Sequence, residues 1–297
     1  VSRYEEYLDH EKDNHDRFIP AASMAYQYDF LDLPLANVIA ERVGNILNDT
    51  FKDIKIQFPA YSFIPTVDVD IAFAHHGKGF FRASAGMAKL ILKANFSDLK
   101  ERVLVNFGKL QDPYDNFDYQ IQTFKDQGLK PIYFILLGDY GTYDKNISYL
   151  NPKFRKLISD LSKHADIGIH PSYRSYDEPE RLNVEIDRLS EIIEKEVIYS
   201  RQHFLRMKFP ETFRKLSQNG IKKDFSMGYA SLNGFRAGIS IPYPFYDLLE
   251  DKEKDLMIYP FMFMDTAMQD YMGVSPKDYI SFVKPLLKRV NYYGGCM

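Results

Sequence analysis

Two aspartates on one face of a short strand are the first residues in this sequence whose types and spacing could do chemistry. Residues 66–70 read Thr-Val-Asp-Val-Asp, so alternation places the side chains of Asp68 and Asp70 on the same face, about 7 Å apart along the strand. Carboxylates that leave water repel each other unless a proton, a basic side chain or a metal neutralises them. One cation could reach both, although a lone aspartate at a strand end is more often an ordinary cap.

Two other apolar runs end in histidine. His170 ends an Ile-Gly-Ile-His run, and it faces the same way as the aspartates if the strands are parallel neighbours. Farther on, Tyr199, Arg201 and His203 share one face if that strand continues so far. An open site of one aspartate and two histidines around a divalent metal, with a free carboxylate nearby as general base, is a common way to activate water. These side chains therefore predict a hydrolytic metal site.

The elements that position these residues alternate between strands and helices, which predicts an α/β protein with a parallel sheet. Seven apolar runs are candidate strands: Thr66 to Asp70, Pro131 to Leu137, Ile167 to His170, Val197 to Arg201, Lys223 to Met227, Leu256 to Met264 and Val290 to Tyr293. Segments with apolar residues three and four apart are candidate helices: Leu35 to Leu47, Ala83 to Lys93, Asp98 to Leu110, Phe117 to Gln127, Pro152 to His164, Pro179 to Glu196, Pro210 to Asn219 and Pro276 to Lys288. Either a (β/α) barrel or an open doubly wound sheet fits, and both carry chemistry at the carboxyl ends of strands.

Composition excludes several classes of protein. The chain has 297 residues, 45% of them hydrophobic, which argues against disorder. Lys and Arg number 38 and Asp and Glu number 41, so the formal charge is −3 and we expect no nucleic-acid partner. Its apolar runs are much shorter than the ~20 residues of a spanning helix, so we expect no membrane span and a soluble protein. The single cysteine, Cys296, excludes an internal disulfide and a cysteine-based zinc cluster.

The order of these motifs resembles that of the polysaccharide deacetylase family, carbohydrate esterase family 4, over roughly residues 60–295, and in particular a divergent bacterial branch. Residues 66–70 look like the Thr-Phe-Asp-Val-Glu variant of the family's first motif. Residues 131–138 look like its Ala-Thr-Phe-Phe strand, and His170 begins its second motif. The resemblance implies an irregular (β/α) barrel of about seven parallel strands. It also implies a hydrolase that uses one divalent metal, zinc, to remove acetyl groups from amino sugars or xylan.

Site roles follow from the resemblance. Asp68 would be the general base, Asp70 a metal ligand, and Arg201, which stands where the family has Arg-x-Pro, the residue that orients the base. The family's second motif also ends in a ligand histidine, but Arg174 occupies that position here. We assign the missing ligand to His203, so the predicted metal set is Asp70, His170 and His203. The alternative is that Arg174 marks a site that binds no metal.

Three further residues are predicted to bind substrate. Arg236 lies in the Gly-Phe-Arg-Ala-Gly run at 234–238, whose glycines and aromatics suit a sugar-contacting loop as well as they suit a packed surface loop. Tyr173 lies in the second motif, and Asp265 follows an apolar strand. The expected partner is an acetylated carbohydrate.

The chain ends raise a separate expectation. Family members use a histidine shortly after the last strand as general acid, and no histidine follows His203. We expect an excised piece of a longer protein, cut before that residue and weakly active. The alternative is a complete chain in which Asp265 or Tyr243 is the acid. We expect residues 1–60 to form a helical N-terminal segment packed on the barrel, and residues 61–297 to form the barrel.

Two other functions compete with a deacetylase. A metal-dependent phosphoesterase would use the same kinds of ligands, usually around two metals. A non-catalytic carbohydrate-binding relic would explain both Arg174 and the missing acid. Both N- and O-deacetylation are consistent with these residues, and the sequence slightly favours the cytoplasm as the location.

Overall fold

The structure is a computed structural model that describes residues 2–8, 10–53, 55–77 and 96–297. Its helices are α1 (Met24–Gln27), α2 (Leu35–Thr50), α3 (Phe96–Asn106), α4 (Phe117–Asp126), α5 (Pro152–Leu161), α6 (Glu180–Ile193), α7 (Glu211–Gln218) and α8 (Tyr279–Tyr292). Its strands are β1 (Thr66–Val69), β2 (Ile132–Ile135), β3 (Asp166–Ile169), β4 (Tyr199–Ser200), β5 (Lys223–Asp224), β6 (Tyr243–Asp247) and β7 (Lys252–Ile258). The predicted helix over Ala83 to Lys93 lies outside the described residues.

The architecture is α/β with a mostly parallel sheet of seven strands, which confirms the predicted fold class. Strands β1 and β6 stand at the two ends of the strand order. No described helix combines the length and apolar character that crossing a membrane requires. The chain divides into two compact units, one of residues Thr66–Val197 and the other of Val1–Pro65 with Ile198–Met297.

In the first unit, β2 pairs in parallel with both β1 and β3. All four residues of β2 are buried, as expected for a central parallel strand covered on both faces. Helix α5 begins after Asn151, whose side chain accepts hydrogen bonds from the amides of Lys153 and Phe154, and Pro152 occupies its first turn. Its apolar face is buried at Phe154, Ile158 and Leu161. The spacing of those three residues is what predicts this helix from the sequence.

In the second unit, β5 pairs in parallel with β4 and with β7, and β6 pairs antiparallel with β7. Strand β6 is not among the predicted strands, and prolines stand at positions 242 and 244, before and within it. Proline is tolerated at a sheet edge, where its missing N–H costs no ladder hydrogen bond, and β6 is an edge strand.

The predicted last strand over Val290 to Tyr293 is wrong, because these residues fall at the end of helix α8 and just beyond it. Val290 is fully buried with Val283 and Leu286, and the spacing of these residues places them on one helical face. The β-branched and aromatic residues at the end of this segment favour a strand locally, but burial of the longer apolar stripe decides the structure.

Candidate functional site

Asp70 and His170 come together because two parallel strands end at the same level. Val69 is in register with Ile135, and Ile135 with Ile169, so the residues that follow β1 and β3 lie beyond one edge of the sheet. The amide of His170 donates to the carbonyl of Ile135 at 2.9 Å, which continues the ladder by one bond. The Nε2 of His170 lies 3.2 Å from an Oδ1 of Asp70.

Burial differs sharply between these two side chains. The imidazole of His170 is 3% exposed, whereas the carboxylate of Asp70 is 50% exposed. Asp68 lies within β1, opposite Phe134, and is half-buried. Gly168 stands next to Phe134 in the same register, so β3 presents no side chain at that level. The first unit therefore presents a buried histidine and an accessible carboxylate at the end of its sheet.

In the second unit, a tight turn positions the other predicted site residues. Strand β4 ends at Ser200, so His203 is placed by the 3-10 turn that begins with it and not by strand alternation. Phe204, inside that turn, has a φ of 58°, a conformation that non-glycine residues adopt rarely. Its carbonyl accepts a hydrogen bond from the Nη1 of Arg17 at 3.0 Å. This contact holds the strained turn and with it His203, which is 6% exposed.

Arg201 is also buried, with its Nε donating to the carbonyl of Phe225 at 3.0 Å and its guanidinium 5.2 Å from the ring centroid of Phe261. Nearby, burial raises the pKa of Asp224, and hydrogen bonds from Ser200 and Ser226 only partly offset that effect. Arg201 is thus oriented by backbone and aromatic contacts.

Asp70, His170 and His203 each offer one ligand atom, and these three atoms lie within 4.8 Å of one another. Ligand atoms around a tetrahedral zinc ion lie about 3.4 Å apart, given zinc–ligand distances of about 2.1 Å. Two imidazole nitrogens and one carboxylate oxygen are a donor set that suits zinc and leaves a position for water. The residues present therefore fit a single divalent cation.

The three predicted substrate residues have different surroundings. Arg236 is 3% exposed, and its guanidinium pairs with the carboxylate of Glu6 at 2.9 and 2.5 Å. Asp265 is exposed, and its carboxylate accepts a hydrogen bond from the amide of the next residue, Thr266, at 2.8 Å. Tyr173 is half-buried and stacks on the ring of Tyr143. The structure thus engages Arg236 in an internal ion pair and leaves Asp265 at the surface.

The segment that follows His170 is held by a carboxylate that sequence reasoning missed. Glu185, on α6, is 1% exposed and accepts a hydrogen bond from the amide of Ser172 at 2.8 Å. Burial raises its pKa to about 7, and hydrogen bonds from Ser172 only partly offset that effect. The helical spacing in the sequence could have shown that Glu185 is buried, because position 185 lies on the same buried helical face as Leu182 and Leu189.

Arg174, at the position where the resemblance predicts a ligand histidine, is an exposed residue of the same segment. Its guanidinium lies beside Gly141, where a Cβ would come within 3.4 Å of the Nε of Arg174.

Residues 1–52 match a family of unknown function, DUF7033, and no curated protein has a significant match to the chain. Among solved structures the chain is similar to a protein from Mycobacterium smegmatis assigned as a polysaccharide deacetylase, with 15% identity and a TM-score of 0.48 over 82% of this chain and 77% of that one. It is also similar to IcaB from Ammonifex degensii, with 11% identity and a TM-score of 0.36 over 80% and 99% of the two chains. A third similar structure is a de-N-acetylase from Aggregatibacter actinomycetemcomitans, with 11% identity and a TM-score of 0.33 over 71% and 99%.

Proposed function

We propose that this chain is a metal-dependent hydrolase that removes acetyl groups from a carbohydrate, with one divalent ion, zinc, as its cofactor. The observation that carries the proposal is the convergence of the ligand atoms of Asp70, His170 and His203 within 4.8 Å. The motif resemblance of residues 66–70 and of His170 supports the choice of reaction. An acetylated carbohydrate is the proposed substrate.

The roles of the chain's own residues follow from their chemistry. Asp70, His170 and His203 would hold the ion, which when bound supplies a Lewis acid and an acidified water. Asp68, half-buried within β1, is the proposed general base that takes the proton of that water. Arg201, buried and fixed by the carbonyl of Phe225, is the proposed residue that orients the base.

Protonation of the leaving amine or hydroxyl requires a general acid, which typically contributes ~10² to 10⁴ in rate. The two candidates in this chain differ in accessibility. Asp265 is exposed, whereas Tyr243 is 9% exposed and burial raises the pKa of its phenol. We therefore favour Asp265 of the two for contact with substrate.

The central test is metal content measured beside activity. We expect about one equivalent of zinc per chain of wild-type protein, and at least a tenfold weaker zinc affinity for His170→Ala and for His203→Ala. The matched control is His164→Ala, which removes an exposed histidine three residues beyond α5 and should leave the metal content unchanged. Hydrolysis is assayed on acetylated chito-oligosaccharides and on acetylated xylan. Two metals per chain would favour a phosphoesterase, and none would favour a non-catalytic carbohydrate-binding protein.

A second test separates base orientation from metal binding. Arg201→Ala should lower kcat while the metal content stays at the wild-type level. Arg201→Lys serves if the alanine variant does not fold, because it retains a cation at that position. Loss of the metal in either variant would mean that Arg201 supports the metal site and that the division of roles is wrong.

A further inference from the structure

Two tyrosines in the first unit form a stacked pair at the surface. The rings of Tyr143 and Tyr173 have centroids 4.2 Å apart and planes inclined by 29°. Tyr143 is 42% exposed, and Tyr173 is half-buried, three residues beyond His170. The two rings come from the segments that follow β2 and β3, at the carboxyl ends of these strands, where functional side chains of α/β proteins collect.

Buried polar groups lock the two segments together. The carboxylate of Asp144 is 1% exposed and accepts a hydrogen bond from the amide of Tyr173 at 2.8 Å. The backbone of Asp144 accepts another from the amide of Gly141, also at 2.8 Å. Asn146 is equally buried and donates to the carbonyl of Gly138 at 2.6 Å. These buried hydrogen bonds therefore fix the backbone next to both tyrosines.

The same two segments also contribute polar groups to a surface cavity. Asp139 comes from the first segment and Glu178 from the turn after the second, and α6 supplies the rest of the lining, which includes Arg181 and Arg188. Ion pairs of Asp139 with both arginines, at 3.1 and 3.0 Å, fix these groups. The two segments thus carry both an exposed aromatic pair and ordered hydrogen-bonding groups, the two kinds of group that bind a ring with one apolar face and polar edges.

We propose that Tyr143, supported by Tyr173, is a sugar-stacking residue that binds a pyranose ring of the substrate. The class of ligand is a pyranose with equatorial substituents, whose axial C–H groups form a continuous apolar face. The chain contains no tryptophan, so the aromatic surface for such a contact must come from tyrosine or phenylalanine. The inference rests on the proposed function for the identity of the ligand, but the binding contact itself does not require turnover.

A packing role is the alternative, and it makes a different prediction. If the pair only joins two segments, truncation of Tyr143 lowers thermal stability and leaves saccharide binding unchanged. If Tyr143 stacks on sugar, truncation weakens binding while stability changes little, because the buried contacts of Asp144 and Asn146 remain.

The experiment is calorimetric titration of the full chain with chitohexaose and with xylohexaose, together with thermal unfolding. We expect Tyr143→Ala to bind the hexasaccharide about tenfold more weakly, which corresponds to ~1.4 kcal/mol. Tyr143→Phe keeps the ring and should stay within about threefold of wild type. Tyr119→Ala, which removes a ring that is 74% exposed on α4, is the control and should bind as wild type. Tyr143→Leu replaces the alanine variant if that variant does not fold.

The outcomes separate this inference from the proposed function. Unchanged binding by Tyr143→Ala, or no binding of either hexasaccharide by wild type, overturns the inference. Lost binding by Tyr143→Ala in a protein without hydrolytic activity supports the inference and removes the proposed function. Where wild type is active, the ratio of kcat/KM for a hexasaccharide over a disaccharide should fall in Tyr143→Ala. An unchanged ratio overturns the inference and leaves the proposed function intact.

Discussion

Two glutamates of this protein are almost equally buried, yet their acidities move in opposite directions. Glu6 is 7% exposed and Glu185 is 1% exposed. Burial alone would raise the pKa of Glu6, but Arg236 and Arg3 outweigh it and lower the pKa to about 2. Burial raises the pKa of Glu185 to about 7, because the hydrogen bonds from Ser172 do not compensate for the lost water.

The difference shows that the neighbours of a buried carboxyl, more than the extent of its burial, decide its charge. Glu6 lies between two guanidiniums, with contacts of 2.6 Å to Arg3 and 2.5 Å to Arg236. Glu185 accepts a hydrogen bond from the amide of Ser172 at 2.8 Å, and the negative charge of Asp144 repels its ionised form. One carboxylate is therefore a fixed charge that joins distant parts of the chain, and the other titrates near neutral pH.

The largest effect should come from breaking the first cluster. Glu6→Ala leaves the buried cations Arg3 and Arg236 without their shared carboxylate, and we expect a loss of roughly 3–5 kcal/mol of unfolding free energy. Chemical denaturation at pH 7 measures it. Glu11→Ala, an exposed glutamate of the same segment, is the control and should stay within about 0.5 kcal/mol of wild type.

The pH dependence of this loss sharpens the test. The folded pKa of Glu6, about 2, lies below its ordinary value of 4.5, so its contribution to stability is present above pH 4.5 and disappears as the pH falls towards 2. The difference between wild type and Glu6→Ala should shrink over that range. A loss that stays constant with pH would mean that the side chain contributes through packing alone.

A smaller effect, of opposite sign, is expected from Glu185→Gln. Because the folded pKa of about 7 exceeds the ordinary 4.5, the folded state holds more protons between these values, and stability falls as the pH rises through that window. The neutral glutamine still accepts from the amide of Ser172, so the variant should lack this decline and be more stable than wild type at pH 8 by roughly 1–3 kcal/mol. Denaturant midpoints measured from pH 4 to pH 8 check it. An unchanged pH profile would show that Glu185 is not the titrating group.

The smallest expected effect is that of Ser172→Ala. The hydrogen bond from the Ser172 side chain lowers the pKa of Glu185. The alanine variant lacks that hydroxyl, so the decline in stability should move to higher pH. The cost at pH 7 should be about 0.5–1.5 kcal/mol, the usual net contribution of one hydrogen bond. Ser148→Ala removes an exposed hydroxyl and is the control. A profile that shifts to lower pH would contradict the assigned direction of the Ser172 contact.

Local sequence patterns were enough to predict several of the strands and helices that carry the site. The apolar runs that end at Asp70 and His170 predicted β1 and β3, and parallel register then brings the residues that follow them to one edge. Apolar residues three and four apart predicted α5 and α6 to within a few residues. Such patterns are readable because side-chain direction along a strand or helix follows from backbone geometry alone.

Other features depend on contacts between residues that are far apart in the chain. The turn that holds His203 depends on a positive φ at Phe204 and on a hydrogen bond from Arg17, a residue far away in the chain. Arg236, a predicted substrate contact, is paired with Glu6, 230 positions earlier. The ion pair and the turn both depend on a residue that is distant in the sequence and close in the fold. The spacing of neighbouring residues does not show which distant residue that is. The acidity of Glu185 belongs to the same class, because it is set by which groups the fold places around the carboxyl and which it keeps away.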